Sequence, residues 1–273
     1  MLELILSMVI WGTLGIFVLW SRVDALDIAF YRCLIGAIII GLFVIKTKKS
    51  VKINKSLIII TIAGIFIVLN WILLFKSFQL ASITVGNMSY YLQPIILVLM
   101  GALIYKEKIT LKNLILIFLS FSGVLLTMDI TKIHSGNIIL GAFFAIIAAF
   151  LYSIVTILMK NIKNDFYLVI FIQLSVGVVL LFPFIHKINV TTQSISCLII
   201  LGFIHTILAY YLYYRAIKKV SFIYIAVFSY LDPIIAIFTD IIFFNRKLNF
   251  IQICGIAITF LTAYILIAKK TKS

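Results

Sequence analysis

Tyr91-Leu92-Gln93-Pro94-Ile95-Ile96 returns 139 residues downstream as Tyr230-Leu231-Asp232-Pro233-Ile234-Ile235, with five of six positions identical. The same gap-free offset pairs Leu73 with Leu212, Lys76 with Arg215, Ser82 with Ser221 and Lys108 with Lys247. The correspondence therefore crosses an apolar run, a polar link and the next apolar run. Chance matching of Leu and Ile is common in an apolar chain, but the shared proline register is not. Each copy carries the same helix-breaking residue at the same depth, because proline lacks the amide donor and clashes with the preceding turn.

Around this pair the chain is 64% hydrophobic and 11% charged, with a mean hydropathy of +1.27. That is far beyond the composition of a soluble domain, and the natural unit of reading is the stretch of about 20 apolar residues that crosses hydrocarbon. Ten such stretches follow one another: Leu2–Trp20, Asp27–Ile45, Leu57–Phe75, Ile83–Tyr105, Leu111–Met128, Ile138–Met159, Phe166–Phe184, Ile195–Tyr214, Phe222–Phe244 and Phe250–Ala268. The links between them are too short to fold separately. Each copy of the repeat holds five spans, an odd number, so the second must enter the bilayer in the opposite sense to the first. The expected fold is an all-α integral membrane protein of ten transmembrane helices, arranged as two inverted five-helix repeats, 1–134 and 135–273, that make one membrane domain. Inverted repeats are characteristic of secondary transporters.

The net charge of +15 reports orientation, not nucleic-acid binding. Almost all basic residues sit in short links, with no basic stripe interleaved with aromatics, which excludes a nucleic-acid surface. Sixteen of them, including Lys46, Lys106, Lys108, Lys160 and Lys219, fall on the side that carries both termini, and six on the other. The positive-inside rule then places both termini in the cytoplasm of a cell whose inner or plasma membrane holds the protein. Cys33, Cys197 and Cys254 lie inside apolar runs without metal-ligand spacing and read as inert. Met1 leads almost directly into an apolar run that carries only Glu3, so the first span is expected to be retained and not cleaved as a signal peptide.

Several short pieces occur in a fixed order: Trp11-Gly12, Arg32, Asn70-Trp71, Phe75-Lys76-Ser77-Phe78, Tyr105-Lys106-Glu107-Lys108-Ile109-Thr110 and Gly123-Val124-Leu125-Leu126. With the ten spans and the five-plus-five duplication, the whole chain resembles EamA-type members of the drug/metabolite transporter superfamily. The resemblance implies that spans 1–4 and 6–9 surround a central cavity, that spans 5 and 10 pack peripherally, and that the repeats rock to expose the cavity alternately. It implies no substrate. The chain departs from the family at one place, because the second copy of the Lys106-Glu107-Lys108 turn reads Asn245-Arg246-Lys247, without the acid.

Charged groups in hydrocarbon are costly unless they face a wet cavity or a partner, so Arg32, Asp232 and Asp240 are candidates for function. Asp232 precedes Pro233, and the broken helix there would line the cavity. It is the leading coupling or cation-binding residue, against the alternative of a structural acid paired with Arg32. Arg32 reads either as a side chain snorkelling to the outer interface or as an anion clamp. Asp240 reads as a structural or entrance charge. Gln93, Asn70, Asn87 and Gln173 would orient substrate or bond between helices, with Gln93 and Asn70 placed first.

Trp11 and Trp71 are further substrate-binding candidates, and Tyr91 and Tyr230, equivalent through the repeat, are candidate ring faces for an organic cation. Tyr213 and Tyr214 read as interfacial belt residues. His205 is the histidine deep in a span, either a proton shuttle or a packing residue. Pro94 and Pro233 are the expected helix breaks. The function these residues suggest is secondary active transport of a small polar metabolite, an amino acid, amine or related solute, with protons as a candidate coupling ion. No cofactor is expected. The expected partners are a small-molecule substrate and the lipid bilayer, with monomer and homodimer both open. A phosphate-binding loop is absent, as are H-E-x-x-H and any Cys/His cluster, which argues against ATP hydrolysis and against an enzyme. A channel or nontransporting scaffold is the remaining alternative.

Overall fold

A computed structural model describes residues 1–47, 55–128, 137–185, 191–245 and 247–270, apart from the side chains of 269 and 270. The repeat boundary at 134/135 lies outside the described residues, as do His134, His186, Arg246 and Lys48, Lys49, Lys52, Lys132, Lys187 and Lys272 of the links. The helices are α1 (Leu2–Ser21), α2 (Ala25–Lys46), α3 (Lys55–Leu80), α4 (Ile83–Tyr105), α5 (Leu111–Leu126), α6 (Ile138–Lys160), α7 (Phe166–Phe184), α8 (Thr192–Ile217), α9 (Phe222–Phe244) and α10 (Phe250–Lys270). Among the described residues, nine of them are long and apolar enough to span a bilayer, and α5 is shorter.

Packing follows the inverted repeat. α2 lies against its own repeat mate α7, α4 against α9, and α5 against α10. α1 packs along α8 and α9, and the image of that arrangement is α6 packed along α3 and α4. Two groups result, α1–α8–α9 and α3–α4–α6, each assembled from both repeats. The backbone repeats too. α4 and α9 both end on a residue in the left-handed conformation, Lys106 with φ 53° and Asn245 with φ 52°, exactly one repeat apart. Such a residue lets a helix stop by turning its last carbonyls to local donors.

Both prolines break their helices. α4 is interrupted at Tyr91–Leu92, just before Pro94, and α9 at Tyr230, just before Pro233. A freed carbonyl must find a donor in a membrane. That of Tyr91 accepts from the Tyr230 hydroxyl at 3.0 Å, which joins the two breaks across the repeat axis. Two further interruptions have no proline. α1 pauses at Thr13, whose hydroxyl donates back to the Ile10 carbonyl, and α8 widens to a π-helical turn over Phe203–Leu208.

The peripheral pair α5–α10 closes through glycine. A Cβ on Gly123 would lie 2.5 Å from Thr259 Oγ1, and one on Gly255 would collide with the Gly123 carbonyl. Ser120 and Thr262 share a hydrogen bond at this contact. Small residues that let backbones approach are the usual means of helix association in lipid.

Candidate functional site

Between the two three-helix groups lies a cavity of about 330 Å³. α1, α8 and α9 supply one wall, α3, α4 and α6 the other, and Arg32 reaches in from α2. No described residue of α7 lines it, although the family resemblance implied that span 7 would; α7 stands behind α2 and α3. The cavity sits at the proline breaks and runs from there toward the face opposite the chain termini, as the lining by Leu14, Gly15, Leu74 and Ala236 shows.

Ten of the substrate-site candidates singled out from sequence meet here: Trp11, Arg32, Asn70, Trp71, Asn87, Tyr91, Gln93, Pro94, Tyr230 and Asp232. Pro233 is buried beside the cavity and does not line it; its contribution is the break. Asp232 occupies the first turn of the second half of α9, where the helix N-terminus favours negative charge. Among the described residues it makes no hydrogen bond and no ion pair, so it is not paired with Arg32. The hydroxyls of Tyr90 and Tyr91 lie within electrostatic reach of it. Gln93, its repeat mate, is buried, and its Nε2 has no hydrogen-bond partner among the described residues. The cavity thus holds an unpaired carboxylate and an unpaired amide donor at equivalent positions of the two repeats.

Arg32 does not snorkel. Its Nε donates to Thr206 Oγ1 at 2.9 Å, its Nη2 approaches the His205 carbonyl at 3.4 Å, and its guanidinium stands 5.5 Å from the centre of the Trp71 ring. The acceptors are products of the π-helical turn. Within it the Thr206 hydroxyl donates to the Leu201 carbonyl five residues back, and the His205 carbonyl also accepts from Trp11 Nε1 at 3.1 Å. Turns of this kind concentrate at functional sites. His205 itself faces away from the cavity, its ring beside Phe17 and its Nε2 sharing a hydrogen bond with Thr13 Oγ1 at 3.0 Å.

The reading of Tyr213 and Tyr214 as belt residues is overturned: both are fully buried. Tyr213 shares a hydrogen bond with Thr156, stacks on Tyr152 and touches Trp11, forming the cavity floor. Tyr214 donates to Gln173 Oε1 at 2.7 Å, which puts both outside the cavity. Asp240 is half-buried and does not line it. Sequence reasoning missed Tyr152 and Met8 as lining residues; the 3.6-residue period does not say which face of a helix buried on most sides meets a void. Asn70 is fixed by bonds from its Nδ2 to Tyr90 Oη at 3.1 Å and to the Ala148 carbonyl at 2.7 Å. Asn70→Ala should lower the stability of the solubilised protein by about 1 kcal/mol, the size of an interhelical hydrogen bond in lipid, read by thermal unfolding. No change in melting would mean that this bond does not hold α3 to α6.

Comparison with known proteins places the chain beside membrane transporters. The profile of the EamA-like transporter family matches residues 1–129 and again 139–268. An uncharacterized transporter of Bacillus subtilis (strain 168), YxxF, is 31% identical over 268 residues, covering 95% of this chain and 86% of the relative. An uncharacterized transporter of Archaeoglobus fulgidus is 23% identical over 285 residues, covering 98% and 97%. One solved crystal structure shares the fold at a TM-score of 0.83 and 14% identity, over 96% of this chain and 95% of that one.

Proposed function

The chain belongs to the EamA-like transporter family, and on that premise we propose that it is a secondary active carrier for a small polar metabolite bearing an amine, an amino acid or a related solute. The observation that carries the reading is Asp232, a carboxylate without a hydrogen-bond or ion-pair partner among the described residues, in a cavity that also holds the Arg32 guanidinium and a wall of tyrosine and tryptophan. A buried charge without a partner is costly, and an ammonium group supplied by the substrate, or a proton, relieves that cost. Arg32 keeps donors beyond the two it spends on Thr206 and His205, and offers them to an acceptor on the same solute. At about 330 Å³ the cavity is at the small end of the ~300–1,000 Å³ typical of small-molecule sites, which suits a metabolite better than a peptide or lipid.

Coupling is proposed to be to protons, through Asp232. Both termini are proposed to be cytoplasmic in the cell membrane, on the excess of basic residues at the face that carries them. The cavity, which runs toward the other face, is then accessible from outside in this conformation.

The test is a thermal-shift screen of the purified protein against amino acids, amines, organic cations, sugars and nucleotides, followed by counterflow in proteoliposomes. A ligand that prefers the folded state raises stability by mass action. Stabilisation by amino acids or amines alone, with saturable counterflow of the same compounds, is the expected result. Stabilisation by sugars or nucleotides instead would overturn the substrate class, and flux without counterflow would replace the carrier by a channel.

A further inference from the structure

The face that carries the termini is closed by contacts whose repeat images are not made among the described residues of the other side. Lys160, the last residue of α6, extends its Nζ to the Ile217 carbonyl at 2.9 Å and to the Val220 carbonyl, capping the end of α8. The same ammonium stands 4.5 Å from the centre of the Phe222 ring. Glu107, just past α4, accepts from the Phe222 backbone amide at 3.2 Å and so caps the start of α9. The Phe222 ring rests on Gly101, where a Cβ would overlap it, and lies 5.2 Å from the Tyr105 ring. In each of these contacts one partner comes from the α3–α4–α6 group and the other from α1–α8–α9. They therefore bridge the two walls of the cavity below its floor.

Shifting each residue by one repeat gives the opposite face. Lys160 becomes Ser21, Glu107 becomes Arg246, Phe222 becomes Ile83 and Gly101 becomes Asp240. Ser21 is too short to reach across and donates to Val18 in its own helix at 2.7 Å. Arg246 lies outside the described residues, but by its chemistry an arginine side chain has no acceptor to offer an amide as Glu107 does. The capping serines record the same asymmetry. Ser82 accepts from Val85 N and caps its own helix, whereas its mate Ser221 makes no such bond and leaves α9 to Glu107. Two bonds on the opposite face, from Ser194 Oγ to the Ser21 carbonyl and from Asn137 N to the Leu80 carbonyl, stay within one group each.

We propose that Lys160, Glu107 and Phe222 form a one-sided latch that holds the terminal face shut and makes the conformation with the cavity directed to the opposite face the resting state of the free carrier. A symmetric pair of repeats has two conformations of equal energy, related by exchange of the faces. Contacts present on one face only remove that degeneracy. The latch sits apart from the cavity and sets the bias of the carrier without touching substrate. It requires only that the two groups move against each other.

The experiment is double electron–electron resonance in lipid nanodiscs, without substrate, between spin labels at Lys163→Cys, three residues past the end of α6, and Leu2→Cys in α1, both exposed, in a Cys254→Ala background. The parent should show one dominant short distance. Lys160→Met and Glu107→Ala should each raise the population of longer distances about tenfold, the shift expected when a contact specific to one of two states is lost. Glu107→Gln keeps an oxygen for the Phe222 amide and should stay close to the parent, as should Ser21→Ala, the image substitution. If one of the first two variants does not fold, the other decides. Unchanged distances in the folded variants would overturn the latch, as would an equal response to Ser21→Ala. The readout uses no substrate, so a negative result leaves the carrier reading untouched, and absence of transport would leave the latch standing.

Discussion

Asp232→Asn abolishes transport and leaves the fold intact: that is the largest functional effect expected of a single substitution in this chain. Asn has nearly the shape of Asp, and Asp232 makes no hydrogen bond or ion pair with the described residues that the change would sever. The folded protein should lose little, and removal of an uncompensated charge from the cavity should raise its melting temperature if anything. The substrate complex loses the one acidic contact that the described residues of the cavity wall offer. Removing one member of a buried charge pair costs about 2–5 kcal/mol, so affinity for an amine-bearing solute should fall at least about thirtyfold, and any proton carried by the residue is lost outright. The check is uptake into proteoliposomes together with thermal unfolding of the same preparation. Transport at the parental rate would take Asp232 out of the mechanism and leave it as a structural acid. Loss of transport together with loss of folding would instead point to the α9 break as the part damaged.

The ten helices were legible because two physical limits write themselves directly into sequence: hydrocarbon thickness sets the run length, and proline cannot continue a helix. The second limit also revealed the inversion, since Pro94 and Pro233 hold the same register in segments that run in opposite senses. What sequence hides is structure whose cause lies in a neighbouring helix. The π-helical turn at Phe203–Leu208 contains neither proline nor glycine, yet it carries both acceptors that hold Arg32, Thr206 Oγ1 and the His205 carbonyl. Arg32 sits close enough to a span end to snorkel, and only the acceptors on α8 turn it inward. Tyr213 and Tyr214 stand near a span end as belt residues do, but α8 is enclosed by α1, α6 and α7, and both rings go to the interior.

The second large effect concerns shape. Gly12 ends the first half of α1 where that helix crosses α9, and a Cβ there would lie 2.6 Å from Ile235 Cβ and 2.8 Å from the Asp232 carbonyl. The carbonyl belongs to backbone next to the proline break and has no rotamer to move, so relief must come from displacing α1. Overpacking of this kind costs about 1–3 kcal/mol. Gly12→Leu should therefore lower thermal stability measurably, and because Gly12 and Asp232 both line the cavity, it should also eliminate transport. Gly15 supplies the comparison within the same helix. It lines the same cavity, yet a Cβ there meets nothing within 4 Å, so Gly15→Ala should fold as the parent does and keep transport. Both are glycines in one apolar run, and hydropathy does not separate them; the crossing of α1 with α9 does. A Gly12→Leu protein that melts with the parent and transports normally would show that α1 stands off α9 at this point. The carboxylate would then lie in a wider space than the one described, and its role as the chief determinant of the substrate would weaken with it.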